Sequence, residues 1–326
     1  MRPMVTQPSR TGGAAAPGQN PVARGGLVAQ QLGTLRLQGG GGEPVDWRRT
    51  LSSHGVATLP PNRIDTTSWV LGTTLTSVEG GVHGLSFREE RPGMAAVTTD
   101  RPVGTGDGPQ LLATCRKLLR LDDDLSRFYE LAAGDLELSW VTAGAGRMLR
   151  SPTVFEDVVK TICTTNCTWS GTERMVGALV EHLGRPGPDG KHAFPSPEAM
   201  AGAGLDFYRD QARTGYRGGY LEALARSVAD GHLNLENLND PAIPDAEVEA
   251  RLRAVPGVGP YATAHIMLTA LGRYGLLILD SWTLPTYAQL SGRKASDRSI
   301  RRRFRKFGNY QGLAFWLYLT RDWLAE

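Results

Sequence analysis

Apolar and polar positions alternate in two distinct ways along the chain. WVLGTTLTSV (69–78), GVHGLSF (81–87) and MAAVTT (94–99) are short β-prone runs parted by Gly-rich or Pro-Gly turns, and they predict a small antiparallel sheet. The spacing turns helical at QLLATCRKLLRL (110–121), and DDDLSRFYELAA (122–133) follows as a second helix with an acidic start. From about residue 150 onward strand signals nearly vanish. SPTVFEDVVKTICTTNC opens on Ser-Pro, and Phe155, Val158, Val159 and Ile162 share one helical face. Helical patterns then cover 172–184, 196–204, 219–231, 245–255, 261–272, 296–308 and 311–324, joined by short links. The expectation is a mainly α chain: a small α+β domain over 47–149, then a helical domain over 150–326. There is no internal repeat.

Composition adds a third region. Residues 1–46 are rich in Gly, Ala, Gln, Pro and Arg, with GGGG at 39–42, and are expected to be a disordered tail. In the 326 residues, 40% hydrophobic and 21% charged content is ordinary for a soluble globular protein. No apolar run nears the length of a bilayer span, and no secretory h-region opens the chain, so no membrane association is expected. Three cysteines (Cys115, Cys163, Cys167) are too few for a disulfide framework, which points to a reducing cytoplasm. Cys163 and Cys167 lie four residues apart without partner ligands, so they read as packing residues and no metal is expected. Nothing in the sequence implies an oligomer.

Net charge is only +3, but its distribution is uneven. Arg293, Lys294, Arg298, Arg301, Arg302, Arg303, Arg305 and Lys306 face a single Asp297. Such a block is either a phosphate-binding face or a solvated helix surface.

AVPGVGPYATAH (254–265) carries two glycines and two prolines between two helical segments. Gly257 and Gly259 permit a close backbone approach, and Pro260 suits the first turn of the next helix. Pro256, Gly257, Val258, Gly259 and Tyr261 thus form a hairpin whose free amides sit at a helix N-terminus, where an anion is favoured. This is a means of gripping a phosphate without reading sequence. A purely structural corner would also use glycine.

After the second helix, LLILDSW (276–282) brings a lone Asp280 out of an apolar run. Over VPGVGPYATAHIMLTALGRYGLLILDSW the chain resembles the helix-hairpin-helix (HhH-GPD) DNA glycosylase superfamily, whose hairpin is followed by an essential Asp. SPTVFEDVVKTICTTNCTWSGT, FPSPEAMA, GYRGGYLEALA and FGNYQGLAFWLYLTRDW agree in order and spacing. The resemblance covers about 150–326. The preceding α+β segment resembles, more weakly, the N-terminal domain of the 8-oxoguanine and alkylpurine branches.

The resemblance implies an enzyme of base excision repair that flips a damaged base from double-stranded DNA and cleaves its N-glycosidic bond. Asp280 is then the catalytic carboxylate, stabilising an oxocarbenium-like sugar and directing water; a helix cap is the other role for an Asp here. Bifunctional relatives carry a lysine two residues after the second glycine, where this chain has Tyr261. That implies a monofunctional glycosylase without lyase activity. Some branches hold an iron–sulfur cluster on four cysteines near the C-terminus; Cys167 is the last cysteine here, so no cofactor is expected.

Asn166 matches the residue that addresses the orphaned base in the oxidised-purine branch, and also fits a helix cap. Tyr216 and Arg217 match residues lying along the DNA. Trp282, Trp169, Tyr220 and Phe155 are candidate walls of a base pocket, where aromatic faces suit a cationic alkylated purine; each also fits a core. Alkylated purines are the favoured substrate. An 8-oxoguanine glycosylase is the alternative within the class, and a non-catalytic hairpin DNA-binding protein the alternative outside it. The Gly/Ala/Arg-rich composition fits a high-GC bacterium, placing the protein in the cytoplasm at the nucleoid.

Overall fold

The protein is described from a computed structural model covering residues 30–104 and 106–324. Its sheet has five antiparallel strands in the order β1-β5-β4-β3-β2, with β1 Gln30–Arg36, β2 Arg63–Asp65, β3 Val70–Thr76, β4 Val82–Arg91 and β5 Met94–Thr99. The three runs expected to be strands are the three central ones. Leu71, Leu75, Leu85, Phe87 and Val97 point to one face, as the two-residue period requires, and bury against α1 (Trp47–Leu51) and α2 (Asp107–Leu118) through Trp47, Leu51, Cys115 and Leu118.

The tail expected over 1–46 needs correction in its described part. Gln30–Arg36 pairs along β5 from Gln30↔Thr99 to Arg36↔Met94, and Leu35 and Leu37 enter the sheet core. The GGGG run is a close-packed turn. Gly40 N–H donates to Asp123 O at 2.9 Å, and a Cβ on Gly40 would sit 2.5 Å from Asp122 O. The glycines therefore serve close approach instead of flexibility. The remainder of the expected tail, residues 1–29, lies outside the described residues.

The helical body contains α3 (Ser126–Ala133), α4 (Val154–Thr164), α5 (Trp169–Leu183), α6 (Pro197–Gly202), the single turn α7 (Gly204–Asp206), α8 (Arg217–Ala229), α9 (Asp245–Arg253), α10 (Pro260–Thr269), α11 (Thr283–Ser291), α12 (Asp297–Phe304) and α13 (Gln311–Thr320). Side-chain caps set several starts: Thr153 for α4, Thr168 for α5, Ser196 for α6, and a Ser296–Ser299 capping box for α12.

Two cores fill this body. One joins α4, α5, α8, α9 and α10; the other joins α3, α11, α12 and α13. Because Phe128, Tyr129 and Ala132 of α3 pack in the second core, the helical body takes in residues that the sequence reading placed in the α+β domain. Helix α10 contributes to both cores, through Ala262 and Ile266 on one side and Ala264 and Leu268 on the other. No helix among the described residues is long and apolar enough to cross a membrane.

Candidate active site

The hairpin is built as its residues dictate. Val255 and Val258 are buried in the core and anchor the turn, and Val258 N–H closes it on Val255 O at 3.0 Å. Gly257 has φ +85°, and a Cβ there would meet the Tyr220 ring at 2.8 Å, so both conformation and space require glycine. Beyond Gly259 there is open space, and Pro260 begins α10, whose first-turn amides have no partner within the helix.

Residues 274–279 return from α10 along the start of α13, where Gly312 N–H donates to Tyr274 O at 2.8 Å. A Cβ on Gly312 would lie 2.0 Å from Leu276 O, so this approach also depends on glycine. Leu277 and Ile278 plug into the second core, and the chain emerges at Asp280.

Asp280 Oδ1 accepts from the N–H groups of Trp282 at 2.9 Å and Thr283 at 2.7 Å. Asp280 N–H donates to Thr283 Oγ1 at 2.8 Å. The residue therefore caps α11, and that cap aims its carboxylate. Both bonds fall on Oδ1, so Oδ2 is the oxygen left to a cavity occupant. A cap and a reactive carboxylate are compatible uses of one side chain.

The cavity beside Asp280 has a volume of about 960 Å³ and combines the hairpin residues 253–262 with Trp282, Trp169, Asn166 and Tyr216. That volume is ample for a purine. Among the lining residues that went unnoticed in the sequence are His265, Trp316 and Trp323. His265 lies one turn after Tyr261 on α10, a spacing that places both on one face. The two tryptophans come from the closing helical segment, whose all-round apolar pattern hides which side faces a cavity. Trp282, Trp316 and Trp323 form a cluster with ring centroids 5.7 to 6.1 Å apart.

Tyr261, two residues after the second glycine of the hairpin, lines the cavity. Burial pushes its phenol up, and the Asp280 charge adds to the shift. Asn166 is exposed in a left-handed conformation (φ 46°) just past α4, a place asparagine tolerates, and its amide donates to Tyr216 Oη at 3.3 Å.

Three expected site residues lie elsewhere. Phe155 is buried in the first core with its ring against Phe194, because the face of α4 that carries it points inward. Tyr220 supports Gly257 and stacks edge-on to Tyr216 instead of lining the cavity. Arg217 is buried; its guanidinium donates to the carbonyls of Thr165 and Thr214 and lies 4.6 Å from the Tyr216 ring centroid. It braces the Asn166 turn from within and presents no charge at the surface.

The basic block is divided. Arg303 and Lys306 pair with the buried Asp135, and Arg303 also with Glu137. Burial alone would push the Asp135 carboxyl up, but the bonds from Arg303, Lys306 and the Glu137 amide hold it well below the usual carboxylate range. Arg298, Arg301, Arg302 and Arg305 are exposed on α12 and the turn after it. Among the described residues no group of three acidic, His or Cys side chains is placed to hold a metal ion.

A hairpin of two helices, an Asp at the cap of the next helix and a cavity between them sit on a helical body with an antiparallel sheet, a fold shared with solved DNA glycosylases. Comparison with known proteins agrees. A DNA-3-methyladenine glycosylase of Archaeoglobus fulgidus has the same fold (TM-score 0.70, 19% identity, 90% of this chain and 99% of that one). So does the 8-oxoguanine glycosylase/lyase of Clostridium acetobutylicum (TM-score 0.65, 19% identity, 86% and 94%). In sequence, the chain is 26% identical over 151 residues to a putative DNA-3-methyladenine glycosylase, YfjP, of Bacillus subtilis, covering 44% of this chain and 50% of that protein. It is 28% identical over 219 residues to the probable bifunctional transcriptional activator/DNA repair enzyme AlkA of Mycobacterium tuberculosis, covering 64% and 42%. The chain thus spans half or less of the length of these curated relatives. No family model matches it. The sequence relatives thus include a putative DNA-3-methyladenine glycosylase, and the fold neighbours include 3-methyladenine and 8-oxoguanine glycosylases.

Proposed function

We propose that the protein is a monofunctional DNA glycosylase that excises alkylated purines from double-stranded DNA. The observation that carries this reading is the position of Asp280: a carboxylate fixed by the start of α11, on the wall of a tryptophan-lined cavity that the hairpin borders. The hairpin amides hold a phosphate and place the flipped nucleotide beside Asp280. The C1′–N bond breaks, positive charge develops on the sugar, and Oδ2 stabilises it. The base has by then departed with the bonding pair, and water attacks C1′, giving up its proton toward Asp280. A purine alkylated on a ring nitrogen is already cationic and leaves readily, so the pocket needs chiefly to bind it. The tryptophan faces do so by stacking and cation–π attraction.

Tyr261 supports hydrolysis over lyase chemistry, because it supplies no amine to form a Schiff base with the sugar. The test is borohydride trapping on duplexes carrying a lesion the protein excises. Abasic sites should form with no trapped adduct; a covalent adduct would assign a lysine elsewhere to the reaction. An oxidised-purine substrate is the second reading, and the Asn166–Tyr216 pair at the cavity edge favours it. Loss of 8-oxoguanine excision in Asn166→Ala, with alkylpurine excision unaffected, would support that reading.

A further inference from the structure

His265 is a buried side chain that the mechanism above does not use, yet it lines the cavity. Its ring lies 5.9 Å from that of Tyr261, 6.4 Å from that of Trp316 and 5.8 Å from that of His54. The hydrogen bonds around it bear on which ring nitrogen carries its proton. Thr269 Oγ1 donates to His265 O at 2.9 Å, so it is the hydroxyl's lone pair that meets His265 Nδ1, at 3.4 Å. This arrangement fits a ring proton on Nδ1, with Nε2 as the acceptor. His54 supplies no donor in return: its Nε2 faces the carbonyl of Leu149 at 2.7 Å, which can only accept, so the His54 proton is already engaged.

Beside His265 the aromatic faces of Tyr261, Trp282, Trp316 and Trp323 line the cavity and suit the faces of a flat base. Asp280 serves the sugar. Resting on the glycosylase reading above, we propose that His265 is a specificity-determining residue. Its Nε2 accepts a hydrogen bond from an exocyclic amino group of the flipped base, so the pocket prefers alkylated aminopurines to lesions whose exocyclic nitrogen bears no hydrogen.

The electrostatics of the site fit this role. Burial pushes His265 down to about 3, His54 adds to the shift, and Asp157 and Asp280 oppose it. His54 is likewise pushed down, to about 4, by burial, with Arg120 and Lys160 contributing. Near pH 7 both rings are neutral, so the pocket holds an acceptor that does not repel a cationic purine.

The test uses the full chain and two free bases: 3-methyladenine, which keeps its amino hydrogens, and 1,N6-ethenoadenine, whose exocyclic nitrogen is closed into a ring. Binding is read from quenching of tryptophan fluorescence, since Trp282, Trp316 and Trp323 surround the site. Wild type should bind 3-methyladenine about tenfold more tightly than ethenoadenine, the worth of one good hydrogen bond. His265→Leu should erase that preference by weakening 3-methyladenine alone, and His265→Gln, which restores an acceptor, should recover it. Equal affinity of wild type for the two bases, or a preference surviving in His265→Leu, overturns the proposal, as does failure of both bases to bind. Excision assays run in parallel separate the two levels. Selective binding without base release leaves the acceptor role standing and removes the glycosylase reading; base release without selectivity does the reverse.

Discussion

Asp280 and Thr283 hold each other across the start of a helix. The Asp280 carboxylate accepts from Thr283 N–H at 2.7 Å while Asp280 N–H donates to Thr283 Oγ1 at 2.8 Å. The side chain proposed to do the chemistry is thus fixed by local backbone, before any substrate binds. A carboxylate there is further favoured by the positive end of the α11 dipole.

Asp280→Asn keeps an oxygen able to accept those two bonds, so fold and DNA affinity should persist. Excision should fall by a factor on the order of 10² to 10³, as when a charge-stabilising group is lost from a transition state. Single-turnover base release measures it, and a wild-type rate would remove Asp280 from the mechanism.

Thr283→Val breaks half of the reciprocal cap while leaving the carboxylate in place. Stability should drop by about 1 kcal/mol, and excision by about tenfold, as the carboxylate loses its fixed direction. Urea unfolding and single-turnover rates on the same preparation check both. A stability loss with unchanged excision would mean that the cap does not aim Asp280.

Asp135 ties α12 and the turn after it to the turn after α3, through Arg303 and Lys306 respectively. Its carboxyl is held below the usual range, so the stability it contributes is full above the unfolded value near 3.9 and is lost as pH falls through the lower folded value. Asp135→Asn should cost about 2 kcal/mol at neutral pH, and the gap to wild type should close in strong acid. A gap independent of pH would contradict the ion-pair account.

The two buried histidines titrate in another window. Their folded values lie near 4 for His54 and 3 for His265, below the unfolded value. The unfolded chain therefore binds protons first, and stability present above about pH 6.5 is lost as pH falls from there toward 4. His54→Gln can still donate to Leu149 O and should flatten that part of the stability profile. A slope unchanged between pH 6.5 and 4 would mean His54 does not carry it.

The basic block offers a test of DNA contact. Arg301→Gln with Arg302→Gln should weaken binding on any sequence and lower the salt slope by roughly one per phosphate contact removed. Arg303 is excluded because its pairing with Asp135 makes it a structural residue. An unchanged salt slope would return α12 to plain surface.

The fold was legible where a period was clean. The strands near 70–99 are short β-prone runs bounded by glycine-rich turns, and α4 has an apolar stripe, so both lie where their patterns place them. β1 was hidden because its leucines follow a Gly- and Gln-rich stretch and its pairing partner, β5, lies some sixty residues away. α11 carries Pro285 within TLPTYAQLS and lacks a regular stripe, and only the Asp280 cap marks its start. The hairpin and Asp280 stand out because glycine, proline and an isolated charge are locally diagnostic. Pocket walls do not: Phe155 and Trp316 both sit in apolar helices, and only the packing decides that one faces a core and the other a cavity. Arg217 shows the same limit for charge, since its guanidinium is spent on backbone carbonyls.

The most direct measurement is base release from duplexes carrying 3-methyladenine, 7-methylguanine, 8-oxoguanine, hypoxanthine or uracil, each with and without hot alkali. The account predicts release of alkylated purines by wild type, strand breakage only after alkali, and loss of both in Asp280→Asn. Tight binding without release from any alkylated duplex, or breakage without alkali, would contradict it.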